Sequence, residues 1–149
     1  MTNKLATSLA SSQLSNVAGR AIVTARGHHF IVDSPAPLGG PNEELNPIDV
    51  LLGALATCGT FVCETAAQEK GIAVDRIAVS VSGDFDPRGV CGDPVDPSIQ
   101  ALRIRLSLSG PQQEEAEELA NEFRKRCPVY GTLAKAAPIE MEVVTEPAG

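Results

Sequence analysis

Residues 46–71 read NPIDVLLGALATCGTFVCETAAQEKG, and this stretch decides the fold. Asn46 is a good N-cap, Pro47 suits the first helical position, and Gly71 suits the residue after the last turn. The spacing therefore predicts a helix from Pro47 to about Lys70. Its first half, IDVLLGALATCGTFV, is apolar on nearly every face. Such a helix is buried all round. Its last turns, ETAAQEK, become polar, so that end emerges into water.

Upstream, residues 34–47 (SPAPLGGPNEELNP) hold four prolines and two glycines and read as a loop. Residues 17–25 (VAGRAIVTA) and 28–33 (HHFIVD) are β-branched runs flanking Arg26-Gly27, which predicts a hairpin. Downstream, 74–85 (VDRIAVSVSGDF) and 101–108 (ALRIRLSL) alternate like half-buried strands of an antiparallel sheet. A Pro/Gly/Asp-rich loop containing Cys91 separates them. Pro111 starts a second helix, with acids early and bases late, whose apolar face is Ala116, Leu119, Ala120 and Phe123. Cys127-Pro128 opens a short third helix, and 139–145 (IEMEVVT) forms a last strand. Strands, buried helix, strands, two helices and a strand make an α+β domain.

The chain has 149 residues, 43% hydrophobic and 21% charged, which fits one globular domain. We expect that domain over residues 17–149, after a Ser/Ala-biased, flexible segment over 1–16. A net charge of −7 argues against nucleic acid or an anionic membrane as partner, because both need clustered Lys and Arg. Aromatics at 3% leave little for stacking on single strands. No uninterrupted run reaches the roughly 18 apolar residues of a membrane span. The start is a poor signal peptide, so the expected location is the cytoplasm.

In that compartment Cys58, Cys63, Cys91 and Cys127 are packing groups, metal ligands or redox groups rather than a static disulfide framework. On an ideal helix Cys58 shares its face with Leu51, Ala54, Leu55, Phe61, Val62 and Thr65. An apolar setting raises a thiol pKa, so a reactive Cys58 needs an Arg or His brought from elsewhere. With Pro128 as first helical residue, Cys127 becomes an N-cap, where free N–H groups favour a thiolate. Arg124, Lys125 and Arg126 precede it and add positive potential. Cys63 lies about 140° round the helix from Cys58 and reads as core. Cys91 reads as an incidental loop thiol.

The four cysteines match no zinc template, and His28 and His29 would point to opposite faces of a strand, so no metal is expected. Asp84, Asp86, Asp93 and Asp96 are interrupted by prolines and read as a turn-rich loop rather than a calcium loop. No Gly-rich phosphate loop or nucleophile elbow is present, and no cofactor is expected.

Taken together, DSPAPLGGPNEELNPIDVLLGALATC, GDFDPRG and RCPVYGTL resemble the OsmC/Ohr family of osmotically inducible and organic-hydroperoxide-resistance proteins, in its OsmC-like branch. The likeness runs from about Val17 to Val144. It implies antiparallel sheets wrapped around long central helices in an intertwined homodimer. It further implies a thiol-dependent peroxidase for organic hydroperoxides, with Cys58 peroxidatic, Cys127 resolving, a Cys58–Cys127 disulfide and an external dithiol as reductant.

The chain departs from the peroxidase branch at Ile48, where that branch carries Glu after Asn-Pro. Asp49 follows one step later, where the OsmC-like branch has Glu, but sits about 180° from Cys58. It would act across the dimer or orient an arginine. Arg26, beside His28, is the expected activating cation, with Arg20 as the alternative. The missing Glu leaves a rival reading, a non-catalytic dimer that holds a small apolar ligand.

Overall fold

A computed structural model describes residues 4–148. The chain divides into two compact units, Met1–Val50 and Leu51–Gly149. In the first, β1 (Ser11–Leu14), β2 (Arg20–Ala25) and β3 (His28–Asp33) form an antiparallel sheet in that order. The hairpin turns where expected, on Arg26 and Gly27, at φ 51° and 80°. Two consecutive positive φ values give the two-residue turn whose twist matches the flanking strands. The strand begins at Arg20, not Val17, because the Arg20 amide closes a turn onto the Val17 carbonyl.

Ser11–Leu14 lies inside the stretch expected to be flexible, yet it pairs with β2 from Ser11↔Thr24 to Leu14↔Ala21. Its four residues are all exposed. The strand is thus held by backbone pairing, which SSQL does not announce. Among the described residues of this unit only Val32 and Asp33 are buried.

Helix α1 (Pro47–Lys70) begins in the last residues of the first unit and runs through the second. There follow β4 (Arg76–Asp84), α2 (Pro87–Val90), β5 (Ala101–Ser109), α3 (Gln113–Arg126), α4 (Pro128–Leu133) and β6 (Ile139–Glu146). The sheet order is β4-β5-β6. β4 and β5 are antiparallel as expected, but β5 and β6 run parallel, which corrects the expectation of wholly antiparallel sheets. The connection between β5 and β6 carries α3 and α4, long enough to return the chain to the same end.

The core forms on one face of that sheet. Leu102, Ile104, Leu106 and Leu108 alternate inward along β5. They meet Leu55, Cys63, Ala66 and Ala67 of α1 and the predicted α3 face, Ala116, Leu119, Ala120 and Phe123. Helix α3 starts two residues after Pro111, behind a capping box of Gln112 and Glu115.

Helix α1 has an 18-residue window of mean hydropathy 1.6, long and apolar enough by composition to cross a membrane. Its buried face nevertheless belongs to this core. The expectation that it is buried all round needs correction. Leu51 is 37% and Phe61 62% exposed, and Ala54 between them is exposed too. Apolarity along a helix does not by itself say which of its faces the fold covers.

Candidate active site

Local chemistry fixes the start of α1. Asn46 Oδ1 accepts from the amides of Ile48 (2.9 Å) and Asp49 (3.0 Å), and Asp49 Oδ2 accepts from the Asn46 amide (3.0 Å). In this reciprocal box Asp49 caps the helix through Oδ2. Cys58 then falls three turns on, in the half-buried part of the helix.

Cys127 arrives from the other side of the core. It ends α3 and N-caps α4, with Pro128 at the first helical position as predicted. Its amide donates to the Phe123 carbonyl (3.1 Å), and its Sγ accepts from the Tyr130 amide (3.3 Å). The Cys127 thiol donates to Cys58 Sγ across 2.7 Å, although 69 residues separate the two. A disulfide holds its sulfurs about 2 Å apart, so bonding this pair takes only a small shift.

One expectation about Cys127 does not hold. Burial pushes its thiol up to about 11, helped by the hydrogen bond to Cys58, and the helix-mouth amide of Tyr130 offsets only part of this. Only 3% of the residue is exposed, and loss of water outweighs the end of a short helix. Two of the three preceding basic residues make bonds of their own. Arg126 makes a two-pronged pair with Glu69 (2.6 and 3.1 Å), and Arg124 bonds Asn121 Oδ1 (2.8 Å). With Lys70–Glu118 (2.7 Å), Arg126 instead ties the end of α1 to α3.

Cys63 is core, as read: it is fully buried, its thiol faces the Leu119 carbonyl at 3.7 Å, and burial raises it to about 12. Cys91 is exposed. Among the described residues no three His, Cys, Asp or Glu side chains gather as a metal-ligand set. Asp86 and Asp96 cap local turns, accepting from the amides of Arg88 and Ser98.

The first unit holds both candidate arginines. Arg26 is exposed on the hairpin turn. Arg20 reaches Asp33 with two nitrogens (2.8 and 2.9 Å) and Glu43 with one (2.8 Å). Asp33 also accepts from the amides of Glu43 and Glu44, and Arg20 holds its carboxyl well below the usual carboxylate range. Asp33 was missed from the sequence. The signal was present, because Arg20 and Asp33 stand equally far from the Arg26-Gly27 turn and so pair across the hairpin.

Solved structures share this architecture. An OsmC-like protein from Mycoplasma pneumoniae is 19% identical with a TM-score of 0.78, covering 97% of this chain and 99% of its own. An organic hydroperoxide resistance protein OsmC from Legionella pneumophila is 17% identical with a TM-score of 0.73, covering 95% and 99%. The organic hydroperoxide resistance protein OhrB of Bacillus subtilis is 20% identical with a TM-score of 0.64, covering 94% and 99%. At these identities the likeness establishes the fold. No curated protein matches the chain. The model of the OsmC-like protein family matches residues 40–142, more than half of the chain and both paired cysteines, and the chain belongs to that family.

Proposed function

We propose that the protein is a thiol-dependent peroxidase that reduces organic hydroperoxides. The observation that carries the reading is the 2.7 Å contact between half-buried Cys58 and buried Cys127. The Cys58 thiolate attacks the distal peroxide oxygen. The O–O bond breaks, the departing alkoxide takes a proton, and Cys58 becomes a sulfenic acid. Cys127 sulfur then attacks Cys58 sulfur. The S–S bond forms, and hydroxide leaves with the Cys127 proton as water. An external dithiol reduces the disulfide and is itself oxidised, which suits a cytoplasmic setting. Half-buried Val62, one turn after the helical thiol, favours an alkyl hydroperoxide, since each buried CH₂ contributes about 0.8 kcal/mol.

The working form in this reading is a homodimer. A second copy would cover the stripe of Leu51, Ala54 and Phe61 and the apolar residues that the first unit leaves exposed. The cation for Cys58 comes from a first unit. Arg26 has no carboxylate against it among the described residues, whereas Asp33 and Glu43 hold Arg20 in one orientation. Arg26→Met and Arg20→Met separate the two, because only the activating arginine slows the peroxide step when lost.

Turnover of an organic hydroperoxide with dithiol, in wild type, Cys58→Ser and Cys127→Ser, tests the proposal. Wild type turns over, Cys58→Ser does not, and Cys127→Ser stops at the sulfenic acid. Equal rates in all three overturn it. A thiol count after one equivalent of peroxide decides against the rival ligand-binding reading: the peroxidase loses two thiols per chain, and the binding protein does not lose that pair.

A further inference from the structure

The two sulfurs sit on different helices, and something must hold those helices at this separation. The residue after Cys58 is Gly59, which is buried. A Cβ there would lie 2.1 Å from Phe123 Cζ and 2.3 Å from its Cε1. The tip of the ring therefore rests on bare backbone, one residue from Cys58. Phe123 is fully buried and cannot swing aside.

The same ring stands one turn before Cys127. Its carbonyl accepts from the Cys127 amide, and its ring centroid lies 5.8 Å from that of Tyr130, tilted 60°. The Tyr130 amide in turn donates to Cys127 Sγ. Cys127 is thus gripped on both sides by the two residues whose rings pack together. The contacts close a circuit from Cys58 to Gly59, Phe123, Cys127 and back to Cys58.

We propose that Gly59 and Phe123 are positioning residues, and that the Phe123 ring seated on Gly59 sets the distance between the Cys58 and Cys127 sulfurs. The inference deepens the peroxidase reading, from which it takes the roles of the two thiols. Any side chain at 59 lifts α3 and the mouth of α4 from α1. Cys127 moves away while Cys58 stays in its helix. Attack by Cys127 on the oxidised sulfur is the step that suffers, because misplacement by about 1 Å costs up to about a hundredfold in rate.

The test reads the pair without peroxide. In a Cys91→Ser background, reduced protein is equilibrated with oxidised dithiothreitol. The Cys58–Cys127 S–S bond forms, the reagent's S–S bond breaks, and two thiol protons pass to the reagent. Gly59→Ala should lower the equilibrium constant about tenfold or more. Gly59→Ala/Phe123→Leu, which shortens the ring to make room for the methyl, should return it to within about threefold of wild type. Ile104→Val in β5 trims the core and lowers stability, and should leave the constant within about threefold.

An unchanged constant in Gly59→Ala overturns the proposal, as does an equal fall in Ile104→Val. Should Gly59→Ala not fold, Phe123→Leu decides. Alone it leaves a gap and lowers the constant, and adding Gly59→Ala refills the gap and raises it again. The opposite order overturns the proposal. Absence of peroxide turnover in wild type would remove the peroxidase reading and leave this equilibrium standing. Equal constants throughout would remove the positioning role and leave the peroxidase.

Discussion

The two units bury their apolar residues on very different terms. Residues 51–149 enclose a continuous cluster of Leu, Ile, Ala, Phe and Cys side chains drawn from α1, β5 and α3. Among the described residues, 4–50 enclose Val32, beside a single buried carboxylate, and leave Leu5, Leu9, Leu14, Phe30 and Ile31 exposed. A three-stranded sheet with so little interior does not hold itself together by burial. The second unit has its own core; the first is organised by backbone pairing and by Arg20 on Asp33. The difference teaches that the same apolar composition can serve a chain's own interior or await another surface.

The largest test of that contrast lies in the self-sufficient core. Phe123→Ala should cost about 3–5 kcal/mol in urea unfolding. Next comes the uncovered stripe. In the proposed homodimer, Phe61→Asp should weaken self-association by about 2 kcal/mol or more, read by sedimentation as a shift from dimer to monomer. An unchanged sedimentation profile would show that nothing docks there. Val32→Ala should cost only about 1–2 kcal/mol. A loss equal to that of Phe123→Ala would erase the distinction between the units.

A pH series sharpens the comparison further. Asp33 titrates lower in the folded chain than its ordinary 3.8, so its pairing contributes stability above that value and loses it as pH falls through and below it. The melting difference between wild type and Asp33→Asn should therefore be full at pH 7 and shrink steadily below pH 4. Cys127 acts in the opposite direction. Its thiol is raised from 9.0 to about 11, so its contribution is intact below pH 9 and drains away as pH rises through 11. The smallest effect is one of order. Iodoacetamide at pH 8 should label exposed Cys91 well before buried Cys127, and mass mapping of the labelled peptides checks it.

Much of this architecture was legible because its causes are local. Asn46, Pro47 and Gly71 delimit α1, and Pro128 makes Cys127 a cap, through chemistry confined to a few neighbouring residues. β5 announced itself by alternating Leu and Ile. What escaped reading depends on distant residues. The parallel course of β6 is settled by where α3 and α4 return the chain, and IEMEVVT is the same string in either direction of pairing. β1 carries no apolar rhythm, because its partner is backbone. At the site, the helix-mouth amides of Cys127 could be foreseen, but not the depth of burial that outweighs them. Gly59 and Phe123 were each visible as helix residues, while their contact spans 64 positions and leaves no trace in either segment.

The parallel seating of β6 has a last consequence, for the order of events during folding. β6 docks beside β5 only after the intervening helices have swung back, and such long-range closures are slow, in the millisecond-to-second range of sheet-rich domains. Until then the outer edge of β5 carries open backbone donors and acceptors beside its Leu and Ile side chains. An unfinished chain is most exposed there to pairing with a strand from another molecule.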